Sequence, residues 1–262
     1  MPVIAFDVRH HRTAKVAFTA QINWSGLAMY RIQLGLAVFW AHENNVDMRG
    51  CDLSHADLHC SDLRDCDLRD SNLRNCNLRG SDLSDGNLQG CDLRNCDLRD
   101  SNLSDCILRQ SDLRGSNLSD CDLSSCDLSG CNLHGCELSG SDLRDCNLTG
   151  CDLRGCSLGS LSIPVIPDIH AAVYTAASAP GALDMSDWHA CRTTHCRAGW
   201  VTTLAGNSGR ELEHIYGTSA AAALIYQASD PKLAQIPNFH ADGADALADM
   251  KRLAELQLQP VA

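Results

Sequence analysis

Leucine stands at every fifth position from Leu53 to Leu158 without a gap. Met48 occupies the same slot upstream, and Ile163 occupies it downstream, so the pattern covers 24 pentapeptides over residues 46–165. Two places before each leucine is a small residue, and the two that follow are polar or glycine. A period of five matches neither the 3.6 of a helix nor the 2 of a long strand. The two-residue step from the small side chain to the leucine points both inward from an extended segment. The polar pair after the leucine reads as a turn. Each pentapeptide is then a very short strand and a corner. No single unit can bury its own two apolar side chains, so coils must stack.

The flanks follow different periods. Upstream, "KVAFTAQI" reads as a strand. "SGLAMYRIQLGLAVFWAHENN" reads as a helix capped by Ser25, with Ile32, Leu36, Phe39 and Trp40 as its apolar face. This segment, 1–45, is expected to close one end of the stack, since an open coil exposes unpaired backbone and core. Downstream, "IPVIPDIH" breaks the repeat with two prolines. Residues 166–262 read as a helical domain: "DIHAAVYTAAS" with Asp168 as cap, "SGREL" with Ser208 and Glu211 as a capping box, then "TSAAAALIYQAS" and "ADALADMKRLAEL".

Composition narrows the function classes. The net charge of −12 argues against direct nucleic-acid binding and against anionic membrane surfaces. No apolar run is long enough to span a bilayer, and the opening residues lack a signal-peptide core. The expectation is a soluble, cytoplasmic protein. Thirteen of the 16 cysteines fall in the small slot of the repeat, which marks them as packing residues and reduced thiols. Cys60 falls in a turn slot and is expected to be exposed.

The run of units such as "CDLRN", "CDLRD" and "SNLSD" resembles the pentapeptide-repeat family, whose motif is A-(D/N)-L-x-x. The resemblance implies an all-β solenoid, a right-handed quadrilateral β-helix with four pentapeptides per coil. Twenty-four units would make about six coils and a rod of roughly 28 Å. Here Cys or Ser replaces the family's usual Ala, and residues 46–165 contain no Phe or Trp. The N-terminal strand and helix, the rod and the tail "WHACRTTHCRAGW" together resemble a bacterial and phage subgroup of the family. That likeness supplies architecture, not chemistry.

With four units per coil, every fourth pentapeptide shares a face. The face centred on Leu53 to Leu153 balances Arg74, Arg94, Arg114 and Arg154 against four aspartates. The face centred on Leu63, Leu83, Leu103, Leu123 and Leu143 carries Asp62, Asp65, Asp82, Asp85, Asp105, Asp122, Asp142 and Asp145 against only Arg64 and Arg144. It holds −6 of the rod's −10. One reading is a merely solubilising surface. The other is a footprint for a basic groove, because a column of like charge is costly without a compensating partner. Members of the resembled family include DNA mimics that bind type II topoisomerases.

The tail places His189, Cys191, His195 and Cys196 within eight residues. As zinc ligands their spacing matches no common knuckle. A second reading makes Cys196 a thiol activated in the first turn of a helix capped by Thr193 or Thr194, with His189, His195 or His214 as base. A third packs Trp188, Cys191, Cys196 and Trp200 into a small core with the histidines at its rim. The third is favoured, and no cofactor is expected. Three functions therefore stand side by side. The first is a non-enzymatic scaffold offering an acidic face to a basic protein, with topoisomerase binding by DNA mimicry as its specific form. The second is a metal- or thiol-dependent C-terminal module. The third is a structural component of a homo-oligomer or particle.

Overall fold

In the computed structural model, residues 2–23, 29–186, 189–191 and 194–257 are described. The rod's ladder steps by twenty residues: Asp52 pairs with Asn72, Asn72 with Asp92, and so on in parallel to Glu137 with Ser157. Four pentapeptides thus make each coil. Every leucine from Leu53 to Leu158 is buried. Within a unit, the leucine carbonyl accepts the amide three residues on, as from Ala56 N to Leu53 O at 3.1 Å. Between coils, Leu53 N donates to Asn72 O and His55 N to Arg74 O, both at 2.8 Å. The third residue of each turn has positive φ, 58° at Asp65 and 66° at Gly80. That is the requirement of a type II turn, and it confines the position largely to Gly, Asn and Asp.

The small slot does more than fill space. Cys126 Sγ donates to Leu103 O of the previous coil at 2.8 Å, and Cys106 and Cys146 do the same to Leu83 and Leu123 at 2.9 and 2.8 Å. Ser111 and Ser116 donate to Leu88 and Leu93 at 2.7 and 2.6 Å. Each such carbonyl already takes its own turn amide, as Leu103 O does from Cys106 N at 3.2 Å. The thiol or hydroxyl uses the second lone pair, which Ala cannot do. This accounts for Cys and Ser where Ala is usual. Burial pushes the thiols of Cys91, Cys131 and Cys136 up to about 12. Thiol-selective alkylation of the folded chain at neutral pH is therefore expected to modify Cys60, which is exposed, and to spare the thirteen small-slot cysteines until denaturant is added. Peptide mapping checks this; rapid native labelling of Cys106 or Cys126 would contradict the packing.

Both ends are capped by a few backbone pairings. A hairpin of β1 (Val3–Arg9) and β2 (Val16–Asn23), antiparallel, precedes α1 (Tyr30–Glu43). Arg9 O accepts Asp52 N at 2.7 Å, and His10 bridges Cys51. Arg31 O accepts Asp57 N at 3.0 Å, so α1 lies across the first coil. The face it buries is Leu34, Gly35, Ala37, Val38 and Ala41. This corrects the expected face: Ile32, Leu36 and Phe39 point away from the rod, and only Trp40 of the four is partly covered. Ser25 lies outside the described residues, and Met29 holds the N-cap position.

The bridge ladder ends at Ser157, so the pentapeptide around Ile163 joins no ladder, although Leu161 and Ile163 still pack against the core. Pro164 and Pro167 supply no amide to a ladder there. α2 (Ile169–Ala177) follows, with Asp168 at its cap position in a left-handed conformation and making no side-chain cap bond. Then come β3 (His189–Cys191), β4 (Thr194–His195), α3 (Arg197–Leu204), α4 (Gly206–Tyr216), α5 (Thr218–Ser229) and α6 (Gly243–Gln257). Ser208 lies inside α4, whose cap position is Ala205, so the expected capping box is absent there. The apolar α5 is buried from Ser219 to Gln227 and forms the centre of this domain. The segment after it closes the rod: Gly150 N donates to Ile236 O at 2.9 Å, and Ile236 N to Cys151 O at 3.3 Å. Gly217, at φ 82°, lets the α4–α5 corner approach Arg144, where an added Cβ would sit 3.1 Å from the arginine Cα.

Candidate functional site

The eight acids of the distinctive face occupy two kinds of position. Asp62, Asp82, Asp122 and Asp142 are ladder residues, stacked one above another with Asn102 between. Each accepts a backbone amide two residues on, from Arg64 at 3.3 Å, Ser84 at 3.1 Å, Ser124 at 2.9 Å and Arg144 at 3.0 Å. These Asx turns stiffen the corner, and Asn serves equally in other units, as Asn117 does for Ser119. Asp65, Asp85, Asp105 and Asp145 are the left-handed turn residues, with φ between 58° and 61°.

Backbone conformation explains a choice among Gly, Asn and Asp at those turns, but not the choice made. The neighbouring face centred on Leu53 to Leu153 uses His55, Asn75, Asn95, Gly115, Gly135 and Gly155, with no aspartate. The acidic face uses Asp in four turns and Ser125 in the fifth, and Gly in none. Gly or Asn would satisfy the turn without adding like charges to a column.

Ion pairing sharpens the difference. On the balanced face, Arg94 bridges Asp92 and, at 3.5 Å, Asp112; Arg114 and Arg154 pair with Asp112 and Asp152 at 2.6 and 2.5 Å. On the acidic face, Arg64 pairs with Asp62 at 2.6 Å and Arg144 with Asp142. The Arg64 guanidinium, helped by its own backbone amide, holds the Asp62 carboxyl down at about 2. Among the described residues Asp65, Asp85, Asp105, Asp122 and Asp145 have no ion-pair partner, and Asp82 has only Arg64 at 4.0 Å. The face's six net negative charges over four ladder steps of ~4.8 Å give roughly one per 3 Å, close to the ~3.4 Å per charge along one DNA strand. The face is framed by the caps. Phe39, His42, Glu43 and Asn45 line a cleft with Asp62, Arg64 and Asp65, and Gly217 abuts Arg144 at the other end.

The histidine–cysteine stretch is built differently from any of its three readings. Cys196 is itself the N-cap of α3, its Sγ accepting Gly199 N at 3.3 Å, so it does not sit in a turn capped by Thr193 or Thr194. It is 1% exposed, which leaves a substrate no approach. His195 is buried rather than at a rim, and meets Trp200 edge-on at 4.7 Å. Trp200 Nε1 donates to Ala182 O at 2.8 Å. Trp188 and the side chains of His189 and Cys191 lie outside the described residues. No group of three or more metal-ligating side chains converges among the described residues. Nor is any helix there long and apolar enough to cross a membrane.

The helical domain holds a buried ion pair that its sequence did not signal. Arg197, 1% exposed, donates to Asp249 Oδ2 at 2.6 Å and to Tyr226 Oη at 3.3 Å, with its guanidinium 5.4 Å from the tyrosine ring centre. His170, also buried, reaches Asp230 at 3.0 Å. Only a fold that places α3 against α5 and α6 could reveal these partners, which lie 29 and 52 residues from Arg197.

A model of the pentapeptide repeat region matches residues 46–122 and 86–163. The chain belongs to the pentapeptide-repeat proteins, and the rod is the right-handed β-helix that membership implies. Among solved structures, it is similar to a pentapeptide repeat protein from the cyanobacterium Cyanothece 51142, with 35% identity over 36% of this chain and 60% of that one, TM-score 0.25. It is similar also to QnrB1, a plasmid-mediated fluoroquinolone resistance protein, with 27% identity over 44% of this chain and 63% of that one, TM-score 0.25. A pentapeptide repeat protein from Nostoc Pcc 7120 shows 30% identity over 41% of this chain and 84% of that one, TM-score 0.28. The chain thus spans about three fifths of the length of the first two. No curated protein matches it.

Proposed function

We propose that the chain is a non-enzymatic interaction protein whose acidic rod face binds a basic protein groove. In its specific form the face stands in for DNA at a type II topoisomerase. The observation that supports this reading is the run of unpaired carboxylates from Asp65 to Asp145, on a face where Gly or Asn would serve the turns equally well. Such a column repels itself in the free protein and is relieved when a cationic groove closes over it.

The triple variant Asp85→Asn, Asp105→Asn and Asp122→Asn removes three charges while keeping turn-compatible, nearly isosteric side chains. Binding to purified DNA gyrase is measured by interferometry, and supercoiling inhibition in parallel. Wild type is expected to bind in competition with duplex DNA, and the triple variant at least about tenfold more weakly, at roughly 0.5 kcal/mol or more per lost charge. Equal binding by the two would overturn the acidic face as the site. Absence of any wild-type binding would overturn the topoisomerase form, and retention of lysate proteins by wild type but not by the variant would still support a basic partner.

A further inference from the structure

Helix α1 is apolar on two opposite sides. Leu34, Val38 and Ala41 are buried on the rod, and at about 100° per residue Ile32, Leu36 and Phe39 lie roughly 180° away. Those three are 37%, 39% and 44% exposed, and Met29, one step earlier in the same phase, is 67% exposed. A helix apolar all round is normally buried on both sides. The spacing 29, 32, 36, 39 is the alternating three–four step of a coiled-coil seam, which seats another helix rather than a flat sheet.

We infer that this seam is covered by α1 of a second copy, packed antiparallel about Leu36. A seam centred on one leucine is self-complementary under a two-fold axis: Leu36 meets its own copy, and Ile32 comes within one residue's rise of the level of Phe39. Charge selects the same partner. Residues 1–45 carry Arg9, Arg12, Lys15 and Arg31 against Asp7 and Glu43, a net +2, whereas the rod carries −10. The cap is thus the part of the molecule where two such acidic chains approach with least repulsion. Antiparallel packing also brings the Arg31 end of one helix alongside the end of the other that holds Glu43, with Asp62 and Asp65 beside Phe39 in the same cleft. The dimer abuts only the Asp62 and Asp65 end of the acidic face and leaves Asp82 to Asp145 open, and its existence does not depend on the function proposed for that face.

Sedimentation equilibrium of the full chain up to about 100 μM is the test, since mass action populates a dimer with concentration. The expected mass is twice the 28.3 kDa of one chain. Leu36→Asp, on the side of α1 away from the rod, is expected to weaken the dimer about a hundredfold or more by forcing two unpaired carboxylates together, with an unchanged circular dichroism spectrum. Leu36→Cys in a Cys60→Ser background is expected to form a covalent dimer when diamide oxidises the two facing thiols to a disulfide. A wild-type chain that stays monomeric at the highest concentration overturns the inference, and so does a dimer that survives Leu36→Asp.

Discussion

Arg197→Ala is expected to destabilise the helical domain by about 3 kcal/mol. The guanidinium is enclosed by α3, α5 and α6, paired with Asp249 and lying over Tyr226. Its removal strands Asp249 and leaves a void beside the buried Tyr226 hydroxyl. Asp249 is a third exposed and keeps Arg252 through its other oxygen, which holds the loss toward the lower end of what breaking a buried pair costs. Urea unfolding of wild type, Arg197→Ala and Arg197→Met with Asp249→Ala measures it. The double variant replaces both charges with apolar groups and is expected to recover part of the loss. The effect should depend on pH in a definite direction. Burial raises the Asp249 carboxyl, but Arg197 and Arg252 pull it down further, so it lies below its usual 3.8. A depressed carboxylate contributes stability that is complete above the unfolded value and lost as pH falls through the folded one. The gap between wild type and Arg197→Ala is therefore expected to be full at pH 7 and to shrink below about pH 4. A gap that widens on acidification would mean that the arginine is not held by this carboxylate.

The rod was legible because its period excludes every other regular structure. Leu53 to Leu158 repeat at five, and a five-residue unit with one inward pair can only be a strand and a corner. What lay hidden was why particular residues fill the remaining slots. Asp65 and Asp85 read as charge alone, whereas their backbone shows that they also answer a left-handed turn. Cys126 read as a spacer, and its thiol proves to bond a carbonyl 23 residues earlier, a distance no local pattern reports. α1 misled because both of its sides are apolar. Bulk favoured Ile32, Leu36 and Phe39 as the core side, but the rod's flat edge admits only Gly35 and small residues beside Leu34 and Val38. The capping box at Ser208 failed for a related reason. Gly206 at φ 68° starts α4 directly after α3, leaving no room for a loop before the serine.

Gly35→Ala is expected to cost about 3 kcal/mol or more, the upper range for overpacking, because the obstacle is backbone. An added Cβ at this position would stand 2.1 Å from Asp57 O and 3.1 Å from Asp57 C, in the first coil. Asp57 pairs with Asn77 of the next coil, and Leu58 N, on the same peptide unit as that carbonyl, donates to Asn77 O at 2.8 Å, so this backbone cannot yield as a side chain would. The helix must lift, and the bond from Asp57 N to Arg31 O goes with it. Lifting exposes the side of α1 formed by Leu34, Ala37 and Val38 together with the open edge of the rod, which is a template for strand pairing between molecules. The variant is therefore expected to melt lower and to aggregate on heating before the helical domain unfolds. Gly243→Ala supplies the control. It too lies in a helix, the first turn of α6, where the nearest atom outside the local chain, in the Met185 side chain, is 4.0 Å from the added Cβ. There the exchange restricts the unfolded chain without a clash and is expected to be neutral or to stabilise by up to about 1 kcal/mol. The same substitution in two helices should thus change sign according to what the glycine faces. Differential scanning calorimetry of the pair decides it: equal small shifts for both variants would mean that α1 does not rest on Asp57, and the capped end of the rod would then have to be redrawn.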